Sequence, residues 1–228
     1  MKVSAIIPSG GVGSRFNSPI PKQYIKVLGK ELITYTLEVF QNCNLIDEII
    51  ISANESYFEL LNQIKIKNNF TKIVKIIPGG KERQDSVFNG LTCKNFDKDD
   101  LVVVHDAARP LLSNSLLENA IQKAEKFDSI VVAIKARDTL IESSDLEEKI
   151  VLNYFDRSKI YYAQTPQIFR YRILHESFLR AKETNFLGTD ESMLVKKANF
   201  DVKIVEGEFQ NFKITTQTDL QTFEKMLK

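Results

Sequence analysis

Short apolar runs alternate along the chain with longer segments in which apolar residues recur every three or four positions. The runs predict buried strands at residues 3–7, 47–52, 73–77, 101–105 and 129–134. The segments between and after them predict helices at residues 31–41, 55–67, 83–92, 115–127 and 171–182, from residue 189, and at the C-terminus. Because strands and helices alternate, the sequence predicts right-handed crossovers and a three-layer α/β/α fold with a mostly parallel sheet.

The starts of the later helices are predicted from residues that accept hydrogen bonds from first-turn N–H groups. Capping boxes at residues 115–118 (SLLE) and 218–221 (TDLQ) predict two of these starts. Asp190 and Glu191 stand in the first turn of another helix, where acidic side chains complement the helix dipole. We interpret this pair as serving the dipole alone.

The alternation changes after residue 134. Two short β-like runs, residues 139–142 and 149–153, flank a polar segment and predict a projecting hairpin, called the arm here (about residues 135–158). An isolated hairpin is marginally stable in water, so we expect the arm to pack on a second copy of the chain. Late strands are predicted at residues 202–205 and 212–215, and without repeats or a linker residues 1–228 are expected to form one domain.

Composition narrows the partner classes. The 228 residues carry 31 Lys and Arg against 30 Asp and Glu, so the net charge of +1 supplies no global field for nucleic acid or a membrane surface. No apolar run approaches the roughly 18 residues of a membrane span. Cys43 and Cys93 lack metal-type spacing, which favours a reducing, cytoplasmic location.

A glycine-rich loop at residues 8–22 (PSGGVGSRFNSPIPK) follows the first predicted strand. Its glycines allow the backbone to approach a ligand closely, and successive N–H groups in such a loop bind anions. Arg15 and Lys22 add two positive charges, which suits a polyphosphate. Phe16 occupies the position where a dinucleotide fingerprint needs glycine, and the P-loop pattern is missing. A simple turn between strand and helix stays open as the alternative.

Asp106 follows the predicted strand 101–105 directly. A carboxylate at the carboxyl end of a parallel strand is well placed to hold a hard divalent cation beside phosphates. It could instead cap the next turn or pair with Arg109. His105 is interpreted as a structural residue, and His175 has no evident partner.

The predicted strand ends collect cations around one acid. Besides the loop they bring Asp106, the small polar side chains of Ser86 and Thr165, and the basic side chains of Arg157 and Lys213. No nucleophile–histidine–acid arrangement is evident. Several cations beside one metal-type acid fit a transfer between phosphates, in which catalysis is mostly positioning and charge neutralisation.

The ordered series of motifs resembles the 2-C-methyl-D-erythritol 4-phosphate cytidylyltransferase family. The motifs are residues 11–15 (GVGSR), 21–24 (PKQY), 82–87 (ERQDSV), 105–110 (HDAARP), 137–139 (RDT), 165–167 (TPQ), 189–191 (TDE) and 211–215 (NFKIT). The resemblance implies a Rossmann-like nucleotidyltransferase domain that transfers CMP from CTP to 2-C-methyl-D-erythritol 4-phosphate and releases diphosphate. It further implies Mg²⁺ as cofactor and a homodimer joined through the arm.

The resemblance also implies a role for each matching residue. Arg15 and Lys22 would stabilise the transition state, while Arg157 and Lys213 would position the attacking phosphate. The nucleotide would contact Pro8, Ser9, Gly10, Gly11, Gly13, Ser14, Arg15, Lys22, Gly80, Ser86, Asp106 and Ala107. The sugar phosphate would contact Asp106, Thr139, Arg157, Thr165 and Lys213, and Asp106 would also hold the metal.

Three other functions are weighed against this one. Ribitol-5-phosphate cytidylyltransferases share the glycine loop, but residues 105–110 and 137–139 favour the methylerythritol family. Phe16 disfavours a hydride-transferring dinucleotide enzyme. A non-catalytic nucleotide-binding protein on the same fold would not need Arg15, Lys22, Arg157 and Lys213 together.

Overall fold

The computed structural model describes residues 1–11, 16 and 18–228, and it has an α/β fold around a mostly parallel seven-stranded sheet. The strands of the described chain are β1 (Val3–Ser9), β2 (Lys26–Val27), β3 (Lys30–Glu31), β4 (Glu48–Ala53), β5 (Ile73–Pro78), β6 (Leu101–Val104), β7 (Ser129–Lys135), β8 (Leu140–Ser143), β9 (Val151–Phe155), β10 (Tyr161–Arg170) and β11 (Lys203–Glu206). The helices are α1 (Leu32–Asn42), α2 (Phe58–Lys67), α3 (Arg83–Thr92), α4 (Asn114–Phe127), α5 (Tyr171–Glu183), α6 (Glu191–Lys197) and α7 (Gln217–Met226).

The sheet has the strand order β11-β7-β10-β6-β1-β4-β5. β1 pairs in parallel with both β4 and β6, so that Ala5 lies opposite Ile49 on one side and Val103 on the other. β10 alone runs antiparallel to its neighbours. The carboxyl ends of β1, β4, β5 and β6 therefore meet at one edge of the sheet, where ligands of such folds bind.

Nearly every residue of the central strands is buried because helices cover both faces of the sheet. Ile6 and Val104 point to the face packed against α3, α5 and α6. Ile7 and Val103 point to the face packed against α1, α2 and α4. Each fully buried isoleucine stabilises the fold by about 2–3 kcal/mol. Helices on both faces of the sheet confirm the predicted three layers.

Two predicted helix starts are wrong by two residues. α4 is capped by Ser113, not by Ser115, and the Ser113 hydroxyl accepts a first-turn N–H at 3.1 Å. α7 is capped by Thr216, not by Thr218: Thr216 Oγ1 accepts from the Asp219 N–H at 3.2 Å, and Asp219 Oδ2 accepts from the Thr216 N–H at 2.8 Å. In each case two hydroxyl residues two positions apart compete, and the one closer to the N-terminus is used.

The predicted strand at residues 212–215 is wrong. After β11 ends, the chain crosses the end of the sheet as an irregular segment, called the strap here (residues 207–215). The Ile214 N–H donates to the carbonyl of Ala108 at 2.8 Å. Ala108 lies in a loop and not in a strand, so no ladder forms around this bond. The strap instead carries side chains into the region beyond β6.

The predicted hairpin of the arm is confirmed. β8 and β9 pair antiparallel, with Leu140 opposite Phe155, in a two-stranded sheet separate from the main one. Apolar side chains are exposed along it, including Ile141, Leu152 and Tyr154. In the described part of the chain, no helix has the length and apolar composition needed to cross a membrane.

Candidate functional site

A pocket of about 330 Å³ lies at the carboxyl edge of the sheet. Among the described residues, the predicted site residues that line it are Pro8, Ser9, Gly10, Gly11, Lys22, Gly80, Ser86, Asp106, Ala107 and Lys213. Further lining residues are Gln23, Lys81, Glu82, Arg83, Ala108 and Thr215. The structure thus brings together residues from the start, middle and end of the chain, as the constellation required.

The described part of the glycine loop is fixed from below by two side chains of the PKQY motif. Gln23 Nε2 donates to the carbonyls of Ser9 and Gly11 at 2.7 and 2.9 Å. The hydroxyls of Tyr24 and Ser9 lie 2.8 Å apart. These bonds occupy the carbonyls on one side of the loop. The predicted residues Gly13, Ser14 and Arg15 lie outside the described residues.

Gly80 and Ser86 form the second wall of the pocket. The Ser86 hydroxyl accepts from the Gly80 N–H at 3.0 Å and donates to the carbonyl of Glu82 at 3.1 Å. A Cβ atom at Gly80 would come within 2.1 Å of Asp85 Cβ, so the position requires glycine. Glu82 and Asp85 cap α3 reciprocally. This close approach keeps the start of α3 open toward the pocket.

Asp106 is the centre of a charged cluster. Its Oδ1 lies 3.0 Å from Arg83 Nε, and its Oδ2 lies 3.3 Å from Arg109 Nε and 3.0 Å from Lys213 Nζ. Burial opposes ionisation of this carboxyl, but Arg83, Lys213 and Arg109 together hold its pKa well below the usual range. Asp106 therefore stays an anion, and the alternative pairing with Arg109 is present beside two further cations.

Arg83 also binds a second acid. Its Nη1 donates to Glu191 Oε1 at 2.7 Å, although the two residues are 108 positions apart. Burial lowers the pKa of the Arg83 guanidinium, but Glu191 and Asp106 together raise it by more, so Arg83 stays charged. Asp190 caps α6 as expected, because its Oδ1 accepts the Met193 N–H at 2.9 Å. The interpretation of Glu191 as a dipole residue alone is wrong, since its side chain is buried in an ion pair.

The pocket lining carries more positive than negative charge. Its described cations are Lys22, Lys81, Arg83 and Lys213, against the two acids Glu82 and Asp106. Lys22 Nζ donates to the carbonyl of Ile214 at 2.6 Å, which joins the PKQY motif to the strap. Lys22 and Lys213 are thereby held on neighbouring parts of one wall.

His105 and Thr165 lie beneath Asp106. The Asp106 N–H donates to Thr165 Oγ1 at 3.1 Å. Because the Arg109 carbonyl can only accept, His105 donates to it from Nε2 at 3.1 Å, and His105 Nδ1 therefore accepts from the Thr165 hydroxyl at 3.0 Å. Burial lowers the pKa of His105 to about 4. The structural interpretation of His105 is supported, and the Thr165 side chain supports Asp106 from outside the pocket lining.

His175 has partners after all. Its ring lies 5.2 Å from the ring of Tyr171 and 6.3 Å from that of Phe88, centroid to centroid. The sequence showed no sign of these contacts, which arise because α3 and α5 pack their aromatic side chains together.

Thr139 and Arg157 lie apart from this pocket. Both are exposed, and neither belongs to the described residues that line it. Arg157 Nη1 donates to the carbonyl of Arg137 at 2.9 Å, which holds it at the base of the arm. Within one chain, the structure does not unite these two predicted residues with Lys213.

The described side chains of the site cannot surround a metal ion by themselves. Within residues 1–11, 16 and 18–228 there is no cluster of three or more His, Cys, Asp or Glu side chains that could hold a metal ion. Asp106 could supply one carboxylate. This fits Mg²⁺, which is usually bound through one or two carboxylates and the phosphates of a substrate.

Sequence reasoning missed Arg83 and Gln23 as site residues. Arg83 stood inside a quoted motif, but only the folded chain shows that it binds Asp106, whereas the pairing of Asp106 with Arg109 was an alternative that the sequence offered. Gln23 stood inside the quoted motif PKQY, which gave no sign of its contact with the glycine loop. Pairing across long sequence separations is what an isolated sequence leaves open.

Comparison with known proteins gives one consistent family. The family model for 2-C-methyl-D-erythritol 4-phosphate cytidylyltransferase, IspD, matches residues 3–228. Proteins of that name from Syntrophus aciditrophicus and Clostridium acetobutylicum are 40% and 39% identical to the chain. These matches cover 100% and 98% of this chain, respectively, and 96% of each relative.

Solved structures agree with the sequence matches. The 4-diphosphocytidyl-2C-methyl-D-erythritol synthase of Anaerococcus prevotii is similar with a TM-score of 0.86 at 29% identity, over 99% of this chain and 96% of that chain. The 2-C-methyl-D-erythritol 4-phosphate cytidylyltransferase of Francisella tularensis has a TM-score of 0.83 at 30% identity, over 99% of each chain.

Proposed function

The chain belongs to the 2-C-methyl-D-erythritol 4-phosphate cytidylyltransferase family, and we propose that the pocket around Asp106 is where its reaction takes place. The reaction transfers CMP from CTP to 2-C-methyl-D-erythritol 4-phosphate in the non-mevalonate route to isoprenoid precursors, giving 4-diphosphocytidyl-2-C-methyl-D-erythritol and diphosphate. The observation that carries the assignment to this pocket is a single anion, Asp106, surrounded by three cations beside a glycine loop.

The nucleotide is assigned to the half of the pocket between the glycine loop and α3. Gly10 and Gly11 present backbone toward it, and Gly80 and Ser86 close the opposite wall. A polyphosphate gains from the open N-terminus of α3 and from the lysines of the lining. We assign Arg15, Gly13 and Ser14 to the triphosphate by membership of the family.

The transfer is a direct displacement. An oxygen of the sugar phosphate attacks the α-phosphorus of CTP, a new P–O bond forms, and the bond to the β-phosphate oxygen breaks. Diphosphate leaves with the electron pair, and no bond to the protein forms. Two unit charges about 4 Å apart interact by roughly 4 kcal/mol at an effective dielectric constant near 20. Lys22, Lys213 and Arg15 are proposed to offset several such repulsions between the two anions.

A bound Mg²⁺ would neutralise triphosphate charge and orient the α-phosphate. Asp106 is the proposed protein ligand for it, and the remaining ligands would come from phosphate and water. Asp106 suits this role because its neighbouring cations keep it ionised. The same cations hold the carboxylate in one place, whether the metal or the ribose is its contact.

The arm is proposed to complete the site of a second copy of the chain. Arg157 and Thr139 lie on it, exposed and apart from their own pocket, and apolar side chains are exposed along the hairpin. A homodimer in which each arm crosses to its partner would cover these apolar side chains and bring Arg157 to the attacking phosphate. Both observations are otherwise without an explanation.

We assign the enzyme to the cytoplasm. Cys43 and Cys93 are free thiols, as expected for a reducing compartment. The substrates of the enzyme, CTP and a sugar phosphate, are small anions, and no nucleic acid or membrane partner is proposed.

Diphosphate release tests the proposed function. Purified protein with Mg²⁺ and CTP would be assayed in parallel with 2-C-methyl-D-erythritol 4-phosphate and with ribitol 5-phosphate. We expect release with the first acceptor only, and omission of Mg²⁺ should abolish it. Release with ribitol 5-phosphate alone would overturn the acceptor while retaining the chemistry. No release with either would favour a binding protein.

A further inference from the structure

Glu191 is a buried carboxylate that local helix chemistry does not explain. Its side chain is 1% exposed, and Oε1 accepts from Arg83 Nη1 at 2.7 Å. Its other oxygen, Oε2, is buried and has no hydrogen-bond partner within the described residues. Burial raises the pKa of Glu191 while Arg83 opposes that rise. An acid in the first turn of a helix can serve the dipole from the surface, so burial here is an added cost.

Arg83 connects Glu191 to the pocket. Its Nε donates to Asp106 Oδ1 at 3.0 Å, and its side chain is 27% exposed along the pocket lining. A single planar guanidinium thus bridges one carboxylate inside the pocket and one behind it. The long, flexible side chain of an arginine is fixed in direction only when both ends of its fork are bound.

We propose that Glu191 is a positioning residue for the transfer reaction, which holds Arg83 against Asp106 and so fixes the carboxylate that organises the pocket. This inference rests on the proposed function of the pocket. Glu191 itself touches no substrate in this account. It acts from α6, on the far side of Arg83, and joins that helix to the reaction centre.

Removal of the Glu191 charge should change the binding partners of Arg83. Without the charge of Glu191, Arg83 keeps one anionic partner, Asp106, which it shares with Arg109 and Lys213. A bound triphosphate then competes for the guanidinium from inside the pocket. We therefore expect CTP to bind at least as tightly while Asp106 loses its fixed position. Turnover should therefore fall without any loss of CTP affinity.

The test is Glu191→Gln, which keeps size and removes charge. We expect kcat to fall about 100-fold, since a displacement of about 1 Å has effects of that order. The Kd for CTP, measured by calorimetry, should stay the same or decrease. Arg83→Ala and the double variant Arg83→Ala/Glu191→Gln should have the same kcat, because Glu191 acts only through Arg83. A loss that multiplies in the double variant would overturn the proposal.

A surface pair provides the matched control. Arg180 Nη2 and Glu176 Oε1 form an arginine–glutamate pair at 2.5 Å along α5, with both side chains about half exposed. Glu176→Gln should leave kcat and the Kd for CTP unchanged. A comparable effect from this variant would show that loss of any such pair impairs the enzyme, and would overturn the specific role of Glu191.

Crystal structures of the wild type and of Glu191→Gln give a result independent of turnover. With CTP bound in both crystals, Arg83 should turn from Asp106 toward the triphosphate in the variant only, and an unmoved Arg83 would overturn the proposal. This readout holds even if the wild type releases no diphosphate, a result that would contradict the proposed function instead. The two failures are thereby distinguishable.

Discussion

Two aspartates, Asp106 in the pocket and Asp156 in the arm, have opposite surroundings. The Asp106 side chain is 9% exposed and is bound by cations from three separate parts of the chain. The Asp156 side chain is 59% exposed, and its ion pair is with Lys159, three positions away at 3.8 Å. Solvent screens the second pair, so it contributes little to stability, whereas the first is held in fixed geometry.

The pocket and the arm differ in the same way as these two aspartates. Long-range contacts within one chain build the pocket, so its geometry does not depend on another molecule. The arm is held by its own hairpin and by contacts at its base, and its predicted functional side chains, those of Thr139 and Arg157, are exposed. A region of the first kind is shaped by its own chain, and a region of the second kind requires something to cover it.

The largest expected effect is loss of a cation from the pocket wall. Lys213→Ala should lower kcat about 1000-fold, the upper range for removal of one group that stabilises transition-state charge. The Kd for CTP should change much less, because ground-state binding uses several other groups. Steady-state kinetics and calorimetry measure the two quantities.

Lys203→Ala, in the exposed edge strand β11, is the matched lysine control. This variant should leave kcat and the Kd for CTP unchanged. Equal losses of kcat and CTP affinity in Lys213→Ala would instead favour a nucleotide-binding protein without catalysis.

The second prediction separates the two regions by mixing variants. Arg157→Ala should lower kcat about 100-fold, because it removes a positioning contact. If the arm serves the partner's site, mixing and refolding equal amounts of inactive Arg157→Ala and Lys213→Ala chains should restore activity. Half of the dimers would be mixed, each with one intact site, so about a quarter of wild-type activity is expected.

No recovery in the mixture would assign Arg157 to its own chain or to no site at all. Sedimentation of both variants, which should remain dimers, is the control for assembly.

The third prediction concerns the buried floor of the pocket. The folded-state pKa of His105, about 4, lies below the ordinary value of 6.5. The unfolded chain therefore takes up a proton between these values that the folded chain does not. The stabilisation is complete above pH 6.5 and is lost as the pH falls toward 4, with about 2 kcal/mol lost between pH 7 and pH 5.

Urea unfolding of the wild type and of His105→Gln at both pH values tests this expectation. The variant should lose about 2 kcal/mol less over that interval, since other titrating groups are common to both proteins. If the free energy of unfolding fell equally in both proteins between pH 7 and pH 5, the pKa of His105 would not be lowered in the folded state.

The smallest expected effect lies where the arm meets the strap. The Arg137 guanidinium carbon lies 3.3 Å from the centroid of the Phe209 ring. Phe209→Leu should lower kcat/KM about 3-fold, in line with roughly 0.5–1 kcal/mol for an exposed cation–π contact. Phe127→Leu, at a ring of similar exposure (47% against 46%), should have no effect on kcat/KM. A similar loss in both variants would remove the link between the strap and the arm.

The fold was largely predictable because its signals are local. β1, β4 and β6 are buried on both faces, and continuous apolar runs are typical of such strands. The errors have equally local causes. Ser113 and Ser115 are both good caps, and nothing in the sequence shows which one the loop before α4 can align. The segment 212–215 has strand-like residues but no neighbouring strand that could pair with it.

The site was predictable in part. Gly80 was found because its motif coincides with the end of a strand, and Lys22 was found because it closes the glycine loop that follows β1. Their proposed catalytic roles remain predictions. The pairing of Arg83 with Glu191 depends on how the first turns of α3 and α6 meet, which is a property of the folded chain alone. The roles proposed for the arm involve a second molecule, so even the folded single chain leaves them as predictions.

The root of the arm has a further consequence for protein engineering. β7 and β10 are adjacent antiparallel strands whose ladder ends with Lys135 opposite Tyr161, and the Ala136 N–H donates to the Ile160 carbonyl at 2.9 Å beyond it. Two strand ends this close can be joined by a two-residue turn. The arm is thus an insertion at the tip of one hairpin, and we expect that a short turn can replace it without altering the seven-stranded sheet that supports it.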